Sequence, residues 1–141
     1  MAINPLKVLF VASEVEGLVK TGGLADVAKA LPQHLAREGH DVRIILPFYQ
    51  TLKRRDEARL LASRWLPTPQ GRDDISYRIY QLELDGICVY LLDCPAYFER
   101  PQLYAENNQA YPDNGERFAF LAAAALHACE QLNFAPDIVH C

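Results

Sequence analysis

The sequence holds no apolar stretch long enough to cross a bilayer. Its longest helical one, Phe118 to Leu126, falls far short of the roughly 20 residues required and is closed by His127 and Glu130. The N-terminus, Met1-Ala2-Ile3-Asn4-Pro5, has no basic segment, no apolar core and no small-residue cleavage site, so no membrane association and a cytoplasmic location are expected. No C-x-x-C pair occurs among Cys88, Cys94, Cys129 and Cys141, and no Cys and His spacing matches a zinc site; the cysteines read as reduced thiols. Basic charge is in deficit as well, with 14 Lys and Arg against 18 Asp and Glu for a formal net charge of -4. The cations are scattered, so the footprint of a duplex-binding protein is missing and nucleic acid is not an expected partner. Disordered and collagen-like classes are excluded by 50% hydrophobic and 23% charged residues. The 141 residues amount to one domain with a real core.

Short apolar runs alternate with helical stripes. Lys7 to Ala12 is a continuous run of strand length, suited to a strand covered on both faces and hence to a parallel sheet. After Gly22-Gly23, the residues Leu24, Val27, Ala28, Leu31 and Leu35 recur at helical spacing until Gly39, a natural residue to end a helix. That predicts a helix with one buried stripe, kinked or broken near Ala28 to Leu31 by Pro32. Val42 to Pro47 is a second buried strand, which completes a right-handed βαβ unit. Tyr49 to Glu57, with Lys53, Arg54, Arg55 and Asp56, reads as a solvated loop or short helix.

Leu60 to Leu66, Ser76 to Leu84 and Ile87 to Leu92 read as strands, the last two joined by a hairpin at Asp85-Gly86. Cys94 to Pro112 is a connection of a length that is either functional or disordered. Asp113-Asn114-Gly115-Glu116 fits a capping box ahead of a helix over Phe118 to Leu132, whose Ala122 to Ala125 allow close packing on a sheet. Asp137 to His140 then reads as another buried strand. The expected fold class is α/β, a parallel sheet with flanking helices and an antiparallel hairpin excursion.

Chemistry is expected first in Ser13 to Gly23, at the carboxyl end of the first strand, where open α/β sheets bind ligands. Gly22 and Gly23 let backbone amides approach an anion, the helix start behind them adds about half a positive charge, and Lys20 adds a full one. The set suits a pyrophosphate; a tight turn with an exposed Lys is the alternative. Neither G-x-G-x-x-G nor G-x-x-x-x-G-K-[ST] can be drawn here, which removes support for a dinucleotide dehydrogenase or a P-loop NTPase. His34 and His40 flank the first helix and are expected to be exposed, His127 reads as a satisfied interior residue, and His140 is left unassigned.

The eight residues Lys20-Thr21-Gly22-Gly23-Leu24-Ala25-Asp26-Val27 resemble the signature of the bacterial glycogen synthase and plant starch synthase family, and Ala12-Ser13-Glu14 and Ala30-Leu31-Pro32 agree with its flanks. Tyr111 to Phe120 is similar to the block ahead of a long helix in that family, and Pro136 to His140 to the strand after it; residues 52 to 92 match least. The resemblance implies part of the N-terminal Rossmann-like domain of a GT-B glycosyltransferase. Its second domain, which holds the nucleotide, would lie outside these residues, and its catalytic His just beyond Cys141. The implied reaction moves glucose from ADP-glucose to the non-reducing end of an α-1,4-glucan with retention, without a cofactor or an essential metal; these residues alone would be inactive. By the same resemblance Lys20 would meet the donor diphosphate, Gly22 and Gly23 would approach phosphate and sugar, and Asp26 would bond a sugar or serve only as a first-turn carboxylate. Tyr111, Asp113 and Asn114 would sit at the mouth of the cleft, with capping an equal role for Asp113. Tyr97 and Tyr104 would stack on glucan rings or seal the core. The competing class is a non-catalytic glucan-binding module, with the Tyr-bearing loop as its binding surface.

Overall fold

Branched and aromatic residues in runs too short for a helix build the sheet of this protein, whose residues 4–141 are described by a computed structural model. Strand β1 (Lys7–Val11) leads through the loop to helix α1 (Gly23–Arg37), which crosses to β2 (Asp41–Pro47). The two strands pair in parallel, with Val8 opposite Val42 and Phe10 opposite Ile44. A single 3-10 turn at Arg55–Glu57 precedes the meander of β3 (Arg59–Pro67), β4 (Asp74–Leu84) and β5 (Ile87–Asp93). The β4–β5 turn places Asp85 at φ 48° and Gly86 at φ 85°, the left-handed pair that a two-residue hairpin needs.

A short helix α2 (Pro95–Phe98), the two-residue strands β6 (Ala105–Glu106) and β7 (Gln109–Ala110), the long helix α3 (Asn114–Gln131) and β8 (Ile138–His140) complete the chain. The six-stranded sheet runs β3-β4-β5-β2-β1-β8. Its β5, β2, β1 and β8 are parallel, and β4 and β3 form the antiparallel excursion. The α/β class with a mostly parallel sheet is therefore as expected. Leu9, Ile45, Leu91 and Leu92 of the central strands are fully buried with Ala124, Ala125 and Ala128 of α3, so small residues let that helix lie close on the sheet, but of the expected run Ala122 to Ala125 the first two face solvent. No helix among the described residues is long and apolar enough to span a membrane.

Several expectations are corrected. Pro32 does not break α1, which runs through it as one 15-residue helix. Its ring is buried in line with Ala25 and Ala28, so packing on that face offsets the missing donor. The buried stripe is accordingly Ala25, Ala28 and Pro32, while Leu24 and Val27 are 51% and 54% exposed. Ile138 and Val139 are 45% and 41% exposed, because β8 is an edge strand paired only with β1 among the described residues.

The connection from Cys94 to Pro112 is ordered: α2 and the β6–β7 hairpin, turned by Asn107 and Asn108 at positive φ, give it backbone bonds of its own. His34 is exposed, but His40 is half-buried and its Nδ1 accepts from the Leu6 amide at 3.0 Å. His127 is half-buried and shares a hydrogen bond of 2.6 Å with the Tyr77 hydroxyl, as a satisfied interior residue should. The exposed ring of His140 lies 4.6 Å from that of Phe10.

Candidate functional site

The loop between β1 and α1 is folded on itself. Val15 and Val19 form an isolated bridge, Val15 and Leu18 are fully buried, and the Glu16 amide donates to the Ala25 carbonyl of α1. The Lys53 amide donates to the Leu18 carbonyl, which fastens the segment after β2 to this loop. At Gly22 and Gly23 a Cβ atom would meet nothing within 4 Å, and neither residue has positive φ. Folding therefore does not demand glycine at either position; the open space in front of them is where a close-fitting ligand would make that demand.

Glu14 organises this turn. Its Oε1 accepts from the amides of Thr21 at 2.6 Å and Gly22 at 3.2 Å, and its Oε2 from the hydroxyls of Thr21 and Tyr104, each at 2.6 Å. Burial works to raise the Glu14 pKa, but the Thr21 and Tyr104 hydroxyls and the two amides outweigh it and hold the carboxyl below its ordinary value. The Gly22 amide is thus already spent. The amides of Gly23 and Leu24, next in the helix start, have no partner among the described residues and are open to a ligand.

Lys20 and Asp26, expected as separate ligand contacts, meet each other: Nζ donates to Oδ1 at 2.7 Å, both side chains being about half exposed. That bond, with the nearby charge of Asp26, raises the Lys20 pKa. Beside them opens a cleft of about 370 Å³ lined by Lys20, Thr21, Thr51, Lys53, Gln102 and Leu103. Lys53, read from sequence as part of a solvated segment, is drawn into it by the amide bond to Leu18.

Tyr111, Asp113 and Asn114 come together at the start of α3, but the capping box does not form. The Asp113 side chain makes no capping bond and instead accepts both Arg100 Nη atoms, each at 2.6 Å. A bidentate charge-assisted pair outcompetes a single amide. Asn114 donates to the Tyr104 carbonyl and accepts from Arg117 at 2.8 Å each. The Tyr111 ring lies under the guanidinium groups of Arg100 and Arg117, at 4.8 and 5.0 Å.

Arg117, which the sequence did not single out, is fully buried and donates to the carbonyls of Tyr97 and Leu103 at 2.6 and 2.8 Å. Tyr97 is buried, and Tyr104 is half-buried with its hydroxyl on Glu14 and bonded to Ser13 at 2.7 Å. Neither ring is a free platform for stacking on a sugar. The signal that could have found Glu14 was a carboxylate just past a buried strand and ahead of a Gly-rich helix start.

The Arg100–Asp113 pair makes a pH prediction. Its bonds to Arg100 hold the Asp113 carboxyl below its ordinary range. Its contribution is therefore present above the unfolded carboxylate pKa of about 3.9 and is lost as pH falls through the lower folded value. Because the pair is partly solvated, Asp113→Asn is expected to cost about 1 kcal/mol at neutral pH and progressively less in acid. Urea unfolding of both forms at pH 7 and pH 3 checks it; an equal deficit at both would show that the charge is not involved.

A sequence profile described as the starch synthase catalytic domain matches residues 7–141. The chain is 83% identical over 141 residues to a glycogen synthase of Aeromonas salmonicida, covering all of this chain and 29% of that protein. It is 57% identical over 138 residues to a glycogen synthase of Photobacterium profundum, covering 98% and 27%. Among solved structures, the catalytic domain of starch synthase IV from Arabidopsis thaliana, bound to ADP and acarbose, superposes with a TM-score of 0.85 at 31% identity over 98% of this chain and 28% of that one. The chain thus spans under a third of the length of the relatives it matches.

Proposed function

This chain belongs to the starch synthase catalytic domain family, and we propose that it forms the donor-facing N-terminal part of an ADP-glucose:α-1,4-glucan glucosyltransferase that retains anomeric configuration. The observation that carries this reading is the helix start at Gly22-Gly23: two glycines that folding does not require, with open space at their Cα atoms, two amides without a partner among the described residues, and beside them an ammonium group held by Asp26. In glucosyl transfer from a nucleotide diphosphate sugar, negative charge builds on the departing diphosphate. A reaction that proceeds without a metal must stabilise that charge with fixed donors. Lys20, the amides of Gly23 and Leu24 and the positive end of α1 supply them without reorganisation at the moment of bond breaking.

Asp26 holds the Lys20 ammonium in the unliganded site and offers its free carboxylate oxygen to a sugar hydroxyl. Tyr111, Asp113 and Asn114 shape the facing wall through Arg100 and Arg117 rather than by direct contact. The non-catalytic glucan-binding alternative needs exposed aromatic platforms on residues 94 to 112, but Tyr97 is buried, Tyr104 is half-buried with its hydroxyl on Glu14, and the Tyr111 ring is covered by the guanidinium groups of Arg100 and Arg117. The competing reading therefore loses its binding surface.

The test is incorporation of labelled glucose into a glucan primer. The complete protein is expected to transfer from ADP-glucose. The 141-residue segment, which would grip the donor from one side only and leave water in the site, is expected to transfer none. No incorporation by the complete protein, or equal turnover by the isolated segment, would refute the reading.

A further inference from the structure

We propose that Glu14 is a positioning residue for this transfer: its carboxylate holds Thr21 and Gly22 in place, so that the next two amides and Lys20 face the donor diphosphate. The inference rests on the function proposed above. A carboxylate at the start of α1 is electrostatically opposed to binding a second, larger anion there, and it removes two of the amides that such an anion would use. Its presence is explained by what it fixes. Glu14 is 4% exposed and forms no ion pair among the described residues, and Lys20, the lysine of its own loop, is bonded to Asp26. Four hydrogen bonds from three residues neutralise it instead.

Those bonds join the two walls of the cleft. Thr21 and Gly22 belong to the β1–α1 loop; Tyr104 belongs to the segment after β5 and is also tied to Ser13, the residue before Glu14. The Leu103 carbonyl next to Tyr104 is held by Arg117, so the carboxylate sits at the junction of the loop that faces the diphosphate and the wall that carries Gln102 and Leu103. Removing it leaves Thr21 and Gly22 free to turn their own amides outward, and the spacing between Lys20 and the Gly23 amide is no longer set.

The experiment compares Glu14→Ala and Glu14→Gln with the unsubstituted complete protein. Glu14→Ala is expected to raise the KM for ADP-glucose about tenfold while leaving the KM for glucan unchanged. Glu14→Gln keeps the shape, and its amide can donate to the Thr21 and Tyr104 hydroxyls, which are able to reverse their roles; it is expected to restore the donor KM to within about threefold. Hydrogen exchange at the Thr21 and Gly22 amides gives a second readout, slow in the unsubstituted protein and in Glu14→Gln, fast in Glu14→Ala. Wild-type donor KM in an active Glu14→Ala protein overturns the positioning role alone. So does an equal rise in both KM values accompanied by general loss of exchange protection, which marks a merely structural residue. Absence of transfer by the unsubstituted protein overturns the function itself.

Discussion

Replacing Arg117 by Met is expected to lower the unfolding free energy of the domain by about 3 to 5 kcal/mol, a substantial share of what a domain of this size possesses. The guanidinium is fully buried without touching a carboxylate. Burial therefore lowers its pKa, and the nearby Arg100 charge lowers it further. What compensates is a fork that reaches the Tyr97 carbonyl with Nε and the Leu103 carbonyl and Asn114 Oδ1 with Nη1. Three aromatic rings, Tyr111, Phe118 and Phe98, lie 5.0 to 5.5 Å from its centre.

Met matches much of the volume and relieves the desolvation of a cation, which by itself would stabilise. It also strands two buried carbonyls and an amide oxygen, each at a cost of about 1 to 3 kcal/mol, and the sum of those losses decides the sign. Arg117→Lys keeps the charge but has one nitrogen for acceptors that lie in different directions, so it is expected to recover less than half of the loss. Urea unfolding of the complete protein and both variants measures this. A cost below about 1 kcal/mol for Arg117→Met would mean that the carbonyls find water and that Arg117 does not fasten the segment after β5 to α3.

Strands β1, β2 and β5 could be read from the sequence because each is an apolar run bounded by turn residues, and burial on both faces of a parallel sheet writes that pattern plainly. Asp85-Gly86 announced its hairpin because two consecutive positive φ angles narrow the choice of residues. Asn107-Asn108 carries the same chemistry, but its flanking strands are only two residues long and leave no periodicity to notice.

Side-chain partners were harder to read. The spacing from Asp113 to Glu116 is that of a capping box, yet Arg100, thirteen residues before Asp113, takes the carboxylate, and nothing local signals so distant a competitor. Part of the α1 stripe was misassigned for a related reason: Ala28 is buried and Leu31 and Leu35 pack against the core as expected, but Leu24 and Val27, more apolar than Ala25, are left outside because the close approach of α1 to the sheet selects small residues and Pro32. At the candidate site, Lys20, Gly22, Gly23 and Asp26 stood out because they fall in one contiguous run. Glu14 was visible only as a matching flank, since its role depends on folding the loop back by seven residues to Thr21 and on Tyr104 arriving from ninety residues away.

Lys20→Ala in the complete protein is expected to lower kcat/KM for ADP-glucose roughly ten- to a hundredfold, with the thermal unfolding midpoint unchanged. Folding gains little from this side chain, because its ion pair with Asp26 is half solvated on both sides and screened by water. Catalysis asks more of it. On the proposed function, a diphosphate seated against the Gly23 and Leu24 amides would carry more charge than the Asp26 carboxylate and would give the ammonium a stronger partner as the leaving group departs. Its loss therefore weighs on the transition state more than on the folded protein.

Lys20→Arg keeps the charge but brings a planar fork into a site whose neighbouring glycines allow close approach to a compact group, and it is expected to restore only part of the activity. Asp26→Asn separates the two functions open to that carboxylate. If it only holds the ammonium, the double variant with Lys20→Ala should be no worse than Lys20→Ala alone; if it also bonds a sugar hydroxyl, the losses should multiply. Steady-state kinetics with ADP-glucose varied at saturating glucan settles both questions. Unchanged kcat/KM for Lys20→Ala would return the Lys20 to Gly23 segment to a tight turn with an incidental charge.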